Sequence, residues 1–430
     1  MQAHVSIPSK EQVMVRGLAK PATVALVVGL IGIAATAGFA YSGMAGDWSA
    51  PSAYHLAPFG TAHMGHSFLV AILWALAICL GGLFFVILQH LTTAGWSVVV
   101  RRVGEGVTAG LVPLFLLVLG VAVIPTLMGS SYLYDWANDA FAHDHPLVEG
   151  KLAYLNAPFF LVRILFYFAV WIGLSRYYAK HSRAQDDDQD PMHTLKMQKI
   201  SGVAMVLFAL TTTFAIFDLS MSLNPEWFST MYGVYFFAGA FWSFNAVLAL
   251  LSIWFEKRGQ LKGVVTVEHY HDIGKFMFAF TFFWSYVAFS QFMLYWYADI
   301  PEETGWFHYR MWGNWTGLSL TLAAGHFFIP MLGLLSRHVK RHRGVLAFWA
   351  VYCLVFQYVD MYWNVMPELH NGVPGQDPAF APLTWSPMDL TAFIGVAGVV
   401  LFAILKRFDG HPAVAIGDPR LPESMRFENF

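Results

Sequence analysis

The sequence predicts an all-α polytopic membrane protein with ten transmembrane helices. Of its 430 residues, 57% are hydrophobic and only 12% are charged, whereas a soluble domain carries about 25% charged residues. Apolar runs of about 20 to 27 residues recur along the chain, and as helices they would cross about 30 Å of hydrocarbon. Cationic residues collect in alternate loops between these runs. This composition gives no indication of nucleic-acid binding.

The predicted helices follow the apolar runs in order. The first, 22–41, comes after Arg16 and Lys20, and its apolar part is too long for the core of a signal peptide, so we expect it to be retained. The other nine are predicted at 64–90, 106–129, 157–178, 200–222, 230–255, 273–297, 315–336, 345–366 and 388–406. None of these spans is predicted to be broken in its middle.

The distribution of Lys and Arg predicts the orientation of the chain. Of the 25 Lys and Arg residues, 22 lie in the two termini or in the loops after the even-numbered helices. The opposite loops hold only Lys151 and Arg310, while Arg163 falls inside a span. Because cytoplasmic loops carry the excess of cationic residues, both termini are predicted to be cytoplasmic.

Paired motifs predict an internal repeat. DLSMSLNP at 218–225 and DMYWNVMP at 360–367 both place an aspartate seven residues before a proline, near the end of a span. GLSRYYAKHSR at 173–183 and LLSRHVKRHR at 334–343 end the preceding spans alike. Equivalent helices are four spans apart and so share their orientation. The sequence predicts one membrane domain, with four-helix bundles at about 64–222 (helices 2–5) and 230–366 (helices 6–9). Helices 1 and 10 are predicted to be peripheral.

Two aspartates are the first candidate functional residues. Asp218 and Asp360 are each predicted about 6–9 Å inside a helix end, where an unpaired carboxylate is costly. Arg163 lies at a similar depth, and an ion pair between Arg163 and Asp218 would reduce the cost of burying both charges. Two interpretations stay open: the ion pair is a structural link between helices 4 and 5, or the aspartate is instead a proton-accepting carboxylate beside a cavity.

Four further residues complete the candidate proton path. His326 lies near the middle of helix 8, either as a buried histidine bonded to a hydroxyl or as a proton relay. Glu105 opens helix 3, either in an interfacial ion pair with the arginines before it or as a cytoplasmic proton entrance. His63 and His66 lie at the mouth of helix 2. They would cap the interface, exchange protons or bind a metal, but no third metal ligand is evident nearby.

The sequence supplies no ligand set for a redox centre. Its two cysteines, Cys79 and Cys353, lie in different spans, and neither a CxxC nor a CxxCH motif occurs, so no iron–sulfur cluster or c-type haem is expected in this chain. His326 has no evident mid-membrane histidine partner for a b-type haem. The aromatic run around 292–299 is typical of a bilayer interface, although a quinone tail site there stays open.

Three segments resemble a known family. FDLSMSLNPEWFSTMYGVYFFAGAFWSF (217–244), YHDIGKFMFAFTFFWSYVAFSQFMLYWYADIPEET (270–304) and HLAPFGTAHMGHSFL (55–69) are similar to the F subunit of bacterial alternative complex III. That subunit belongs to the NrfD-like, or polysulfide-reductase membrane-subunit, family. The resemblance covers nearly the whole chain.

The resemblance implies a location, partners and a role. It implies a multi-pass subunit of the bacterial cytoplasmic (inner) membrane, within a quinol:cytochrome c (or other high-potential acceptor) oxidoreductase. The implied partners are an iron–sulfur subunit, multihaem cytochrome c subunits and a paralogous NrfD-like membrane subunit, which would hold the iron–sulfur clusters and the c-type haems. Asp218 and Asp360 match the buried polar positions of the two bundles, which makes proton translocation the expected role. Quinone binding by this chain stays open.

Two other functions are compatible with the same residues. A stand-alone proton-coupled transporter would also need buried carboxylates, although its sites would be expected nearer the membrane centre. A purely structural scaffold would need them only for helix packing. No catalytic residue and no metal ligand is assigned from the sequence.

Overall fold

The computed structural model describes residues 7–42, 59–130, 132–370, 383 and 385–429, and these ranges are helical without a β-sheet. Ten helices in the described residues are long and apolar enough to cross a membrane. They are α1 (Ala19–Tyr41), α2 (Phe59–Leu91), α3 (Val98–Leu127), α4 (Ala157–Asp188), α5 (Met192–Leu219), α6 (Tyr232–Lys257), α7 (Val267–Ala298), α8 (Gly313–Gly333), α9 (Arg343–Val365) and α10 (Pro387–Phe408). The predicted ten-helix membrane fold is therefore confirmed.

The largest differences from the predicted helix ends lie on one side of the bundle. There α3 begins at Val98 rather than at 106, α4 continues to Asp188 rather than 178, and α5 begins at Met192 rather than 200. Charged turns beyond the hydrocarbon remain helical because their side chains pair with one another, whereas hydropathy marks only the apolar part. Glu105 consequently lies about two turns inside α3 rather than at its start.

The helices α2 and α6 form the centre of the bundle. In the most apolar part of α2, 89% of the residues are buried, and in that of α6, 78% are. The helix α2 contacts α3, α5, α9 and α10, while α6 contacts α2, α5, α7 and α9. These two helices therefore join the two predicted halves, although the proposed repeat of the halves stays a prediction.

The outer helices α1 and α10 pack against each other through glycines. A Cβ atom on Gly32 would lie 2.6 Å from the backbone nitrogen of Gly395, and one on Gly29 would lie 2.8 Å from that of Val399. Because glycine has no Cβ atom, the two backbones approach each other closely, as they do at small residues in membrane helix pairs. α10 also packs against α2, so this pair is attached to the bundle.

Two spans contain an irregular turn that the sequence prediction did not include, although each continues as a single helix. Residues Leu119–Val123 of α3 and Ala323–Phe328 of α8 form π-helical turns. A proline follows each turn, Pro125 and Pro330, and proline removes one hydrogen bond from the preceding helical ladder. Hydropathy misses such turns because they do not interrupt the apolar run. π-Helical turns are found frequently at functional sites, and the one in α8 contains His326.

The two sides of the bundle differ in their covering segments. The described residues before α1 and those after α10 lie on one side, here called the terminal face, where the backbone of Val15 bonds to His411 and Gly410. The C-terminal segment (409–429) continues across this face. On the other side, called the opposite face, a short helix Pro301–Met311 links α7 to α8. The assignment of the terminal face to the cytoplasm stays a prediction.

Candidate functional site

Asp218 forms a buried ion pair with Arg163, as the sequence predicted. Arg163 donates through Nε to Asp218 Oδ2 (2.8 Å) and through Nη2 to Oδ1 (2.9 Å). The hydroxyl of Tyr167 donates to Oδ2 as well (2.9 Å), and Arg163 donates further to Tyr154 O (2.7 Å). Only 1% of Asp218 and 7% of Arg163 is exposed. The two-pronged geometry offsets much of the desolvation of both charges.

Asp218 lies at one end of a row of buried polar side chains on α4. Members of the row are three or four residues apart and therefore share one face of the helix. The row, called the α4 polar row, consists of Arg163, Tyr167, Trp171, Ser175, Tyr178, Ser182 and Asp186. At 1.5 Å per residue it extends for about 35 Å, which exceeds the hydrocarbon thickness of about 30 Å.

Each member of the α4 polar row has a polar partner on a neighbouring helix. Asp218 on α5 is the partner of Arg163 and Tyr167. Also on α5, Thr211 is the partner of Trp171 (2.9 Å) and Ser201 that of Tyr178 (2.7 Å). On α3, Thr108 is the partner of Ser175 (2.5 Å), and Arg102 is the partner of both Ser182 (2.8 Å between Nη2 and Oγ) and Asp186. A row of separate polar pairs, three or four residues apart along α4, thus crosses the first half of the bundle. The sequence prediction did not include this row, although its spacing of three or four residues is visible in the sequence.

Glu105 lies beside the terminal-face end of this row. Its Oε2 is 3.9 Å from Arg102 Nε, while Arg102 makes its closer, two-pronged pair with Asp186. Thr108 joins the backbone of α3 to the row, because its hydroxyl donates to the backbone carbonyl of Glu105 (2.8 Å) and lies 2.5 Å from Ser175 Oγ. A cavity of about 10 Å³ adjoins Glu105, about the least space that one water molecule needs.

Asp360 is buried without a cationic partner in the described residues. Its carboxylate accepts from Tyr235 Oη and Asn364 Nδ2 (3.1 Å), and from Trp284 Nε1 (3.3 Å). All of these donors are neutral, and none of the side chain is exposed. Asp218 is tied to a fixed positive charge and Asp360 is not, so of the two aspartates Asp360 is the better suited to gain and lose a proton.

Hydrogen bonds link the surroundings of the two aspartates. Asn364, one turn after Asp360, accepts at Oδ1 from Tyr232 (3.1 Å). The hydroxyl of Tyr232 in turn lies 2.7 Å from that of Ser220, which is two residues after Asp218. The two halves of the bundle are therefore joined near the opposite face by polar contacts across α6.

His326 lies between two indole rings. Its ring is stacked 4.0 Å from that of Trp242 and 3.8 Å from that of Trp284, measured between centroids. Neither ring nitrogen makes a hydrogen bond within the described part of the chain, so the expected hydroxyl partner is not found there. Trp284 contacts both His326 and Asp360, which places His326 one side chain away from the carboxylate. The proposed relay through His326 stays a prediction.

His63 and His66 are buried in α2, and they do not converge on one site. His63 Nε2 lies 3.2 Å from Asp389 Oδ1 at the start of α10, and Ser67 donates to the same oxygen (2.6 Å). His66 Nδ1 lies 2.8 Å from Ala62 O within its own helix. In the described ranges, no three His, Cys, Asp or Glu side chains are grouped to hold a metal ion.

A second buried ion pair, near the opposite face, was missed by the sequence prediction. Arg310 was assigned to a loop, but it is fully buried and donates to Glu368 Oε1 (2.7 Å). Tyr309 donates to the same oxygen (2.5 Å). Hydropathy gave no signal for this pair because Arg310 lies on the short helix between the spans.

Asp135 lies in the segment between α3 and α4, where burial and the negative charge of Glu368 raise its pKa to about 7.

A lateral cleft of about 550 Å³ opens between α7 and α8. Exposed Tyr286, Phe289 and Phe328 stand at its mouth, and its inner end is formed by Tyr235, Trp284 and Asn364, the three donors to Asp360. Gln291, which also lines the cleft, is 5% exposed. Its Oε1 accepts from Ser229 (3.1 Å), whereas its amide nitrogen makes no hydrogen bond within the described residues. The cleft is apolar at its mouth and polar at its inner end.

The fold and these buried charges define a multi-pass α-helical membrane protein with a polar interior. Comparisons with protein-family models and with curated proteins find no match to this chain.

Proposed function

We propose that this protein is a proton-conducting membrane subunit of a quinol:cytochrome c (or other high-potential acceptor) oxidoreductase, of the alternative complex III type. It contributes no redox centre. Electrons pass through partner subunits that carry iron–sulfur clusters and c-type haems, beside a paralogous membrane subunit. The complex lies in the bacterial inner membrane with both termini of this chain in the cytoplasm.

The observation that carries the proposal is the α4 polar row, a series of buried polar contacts about as long as the hydrocarbon is thick. Each polar group in hydrocarbon needs a partner, and every member of the row has one on a neighbouring helix. The row has a carboxylate near each end, Asp218 and Glu105. Polar intramembrane residues of this kind mark ion and proton pathways.

The proposed path starts at Glu105 on the terminal face. Protons move from there along the α4 polar row, with water bridging successive hydroxyls, to its Asp218 end. Ser220, Tyr232 and Asn364 lead on to Asp360, whose carboxylate takes up a proton because only neutral groups among the described residues bond to it. Arg163 holds the Asp218 carboxylate in place through two hydrogen bonds.

The test replaces one carboxylate at a time in the whole complex. Asp360→Asn and Glu105→Gln are expected to reduce proton uptake per electron at least tenfold while quinol:acceptor turnover continues uncoupled or slows. Asp360→Glu keeps the carboxyl and should retain coupling, and Glu302→Gln, on the opposite face, serves as the matched control. Unchanged coupling in Asp360→Asn, Asp218→Asn and Glu105→Gln would contradict the proton path.

The alternative functions give different results in the same preparation. A scaffold would lose assembly, but not coupling, in the surviving Asp218→Asn complex. A stand-alone transporter would purify alone from mild detergent and take up substrate in liposomes. Recovery together with a multihaem cytochrome and an iron–sulfur protein would support the proposed complex.

The lateral cleft favours a second candidate function, binding of a quinone. A quinone has a planar ring with carbonyl acceptors and an apolar tail. The amide of Gln291 offers a donor for the ring, and the aromatic mouth between α7 and α8 suits the tail. Since this chain holds no proposed electron acceptor, the quinone would be bound without being oxidised here.

Gln291→Leu is expected to reduce the quinone retained on purification at least fivefold, whereas Gln260→Leu, on the terminal face, should not. Equal retention in the two variants would exclude this site.

A further inference from the structure

The C-terminal segment covers the terminal-face end of the α4 polar row. The cavity beside Glu105 is lined by His411 and Pro412 of this segment, together with Arg183 and Arg407. With a volume of about 10 Å³, this cavity has no room for a chain of water molecules. Glu105 is only 4% exposed, so its carboxyl group has little contact with the water of the terminal face.

Charged and backbone contacts hold the segment in place. Asp418 pairs with Arg101, and each of these side chains is less than 5% exposed. The backbone nitrogen of Gly417 donates to Asp186 Oδ1 (3.2 Å), the last member of the α4 polar row. The segment is therefore tied both to the helix that carries Glu105 and to the polar row itself.

Contact between the segment and α4 is close at Gly417. A Cβ atom at this position would lie 1.9 Å from Gln185 O and 2.9 Å from Asp186 N. Any side chain at 417 would therefore push the segment away from the end of α4. Further along, Ser424 donates to Trp96 O (2.6 Å), which fixes the segment over the start of α3.

We infer that the C-terminal segment (409–429) is a lid, closed in this structure, that controls access of water and protons to Glu105. The Arg101–Asp418 pair is its latch, and Gly417 is the point where it lies on α4. When the lid opens, Glu105 and the arginines around its cavity meet water on the terminal face. Only the purpose of the lid rests on the proposed function, because the segment opens or stays closed whether or not protons pass through Glu105.

The test measures access directly with a thiol reporter. Ala179 lines the cavity beside Glu105 and is 1% exposed, and the two native cysteines are fully buried. In the Ala179→Cys complex, a membrane-impermeant maleimide should react slowly from the terminal face. Adding Asp418→Asn or Gly417→Ala is expected to accelerate labelling about tenfold, equivalent to about 1.4 kcal/mol in the opening equilibrium.

Glu423→Gln is the matched control, because Glu423 lies in the same segment but pairs with Arg420 at the surface. Labelling at the control rate in both folded lid variants would overturn the lid. Gly417→Ala changes no charge, so the pair of variants separates opening from a general effect of charge. If labelling accelerates while proton coupling is insensitive to Glu105→Gln, the lid is supported and the proton path fails.

Discussion

The Arg163–Asp218 pair allows the sharpest prediction about stability. Replacing Arg163 by Gln leaves the Asp218 carboxylate, 1% exposed, with Tyr167 as its remaining side-chain donor. Removing one partner of a buried ion pair costs about 3–5 kcal/mol, because an uncompensated charge remains. Asp218→Asn should cost less, since the guanidinium keeps Tyr154 O as an acceptor at 2.7 Å and lies 3.8 Å from the Tyr154 ring centroid.

The double variant isolates the interaction. With both charges removed, no unpaired ion is left, so Arg163→Gln/Asp218→Asn should be more stable than the sum of the single effects by about 2–3 kcal/mol. The measurement is the free energy of unfolding in mixed micelles of dodecyl maltoside and increasing dodecyl sulfate, followed by circular dichroism.

An exposed pair provides the control for this cycle. Lys10 and Asp187 are 2.6 Å apart, but their side chains are 44% and 72% exposed, so their coupling should stay below about 1 kcal/mol. If the single effects at Arg163 and Asp218 add to the double effect within about 0.5 kcal/mol, the two side chains do not stabilise each other and the reasoning fails.

Three further predictions concern packing, pH and stacking. Gly32→Val places a side chain against the backbone of Gly395, 2.6 Å from the Cβ position, and should lower the melting temperature, whereas Gly38→Val, with open space, should not. Burial raises the pKa of Asp135 to about 7, so the folded state binds more protons than the unfolded state between about pH 4 and 7. The stability of the protein should therefore fall as the pH rises through this range. In melting experiments, Asp135→Asn should remove this dependence on pH. His326→Phe keeps an aromatic ring between the two indoles and should cost less than about 1.5 kcal/mol, while His326→Ala should cost about 2–5 kcal/mol. Loss of proton uptake in folded His326→Phe would instead identify His326 as a relay.

Hydropathy and depth were sufficient to predict the spans and one ion pair. The apolar run fixes where a helix crosses the membrane, and two opposite charges at the same depth on consecutive helices have few other partners, as Arg163 and Asp218 show. Arg310 and Glu368 escaped the same reasoning. Their pairing depends on how a short helix outside the spans folds back onto the end of α9, and no residue pattern predicts that docking.

Contacts between distant parts of the chain could not be predicted from the sequence either. Asp418 follows the last span, where charged residues are normally solvated, and only the three-dimensional path of the segment brings it to Arg101. The α4 polar row is different, because its period is present in the sequence. It was overlooked because serines, tyrosines and tryptophans are common in apolar helices and reveal a function only when their partners on other helices are known.

The two aspartates matched by the sequence motif have different surroundings, and this difference decides how a proton path must be arranged. Asp218 is bonded to a guanidinium through two hydrogen bonds, which makes the pair a fixed electrostatic element. Asp360 is bonded to neutral groups alone in the described residues, and a buried carboxylate with such partners changes its charge most readily. A path that needs one stable charge and one exchangeable proton has both here, and the hydrogen bonds of Tyr232 connect the residues beside them. Equal motifs in the sequence therefore mark unequal roles, and replacing Asp360 should affect proton transfer more than folding, whereas replacing Arg163 should do the reverse.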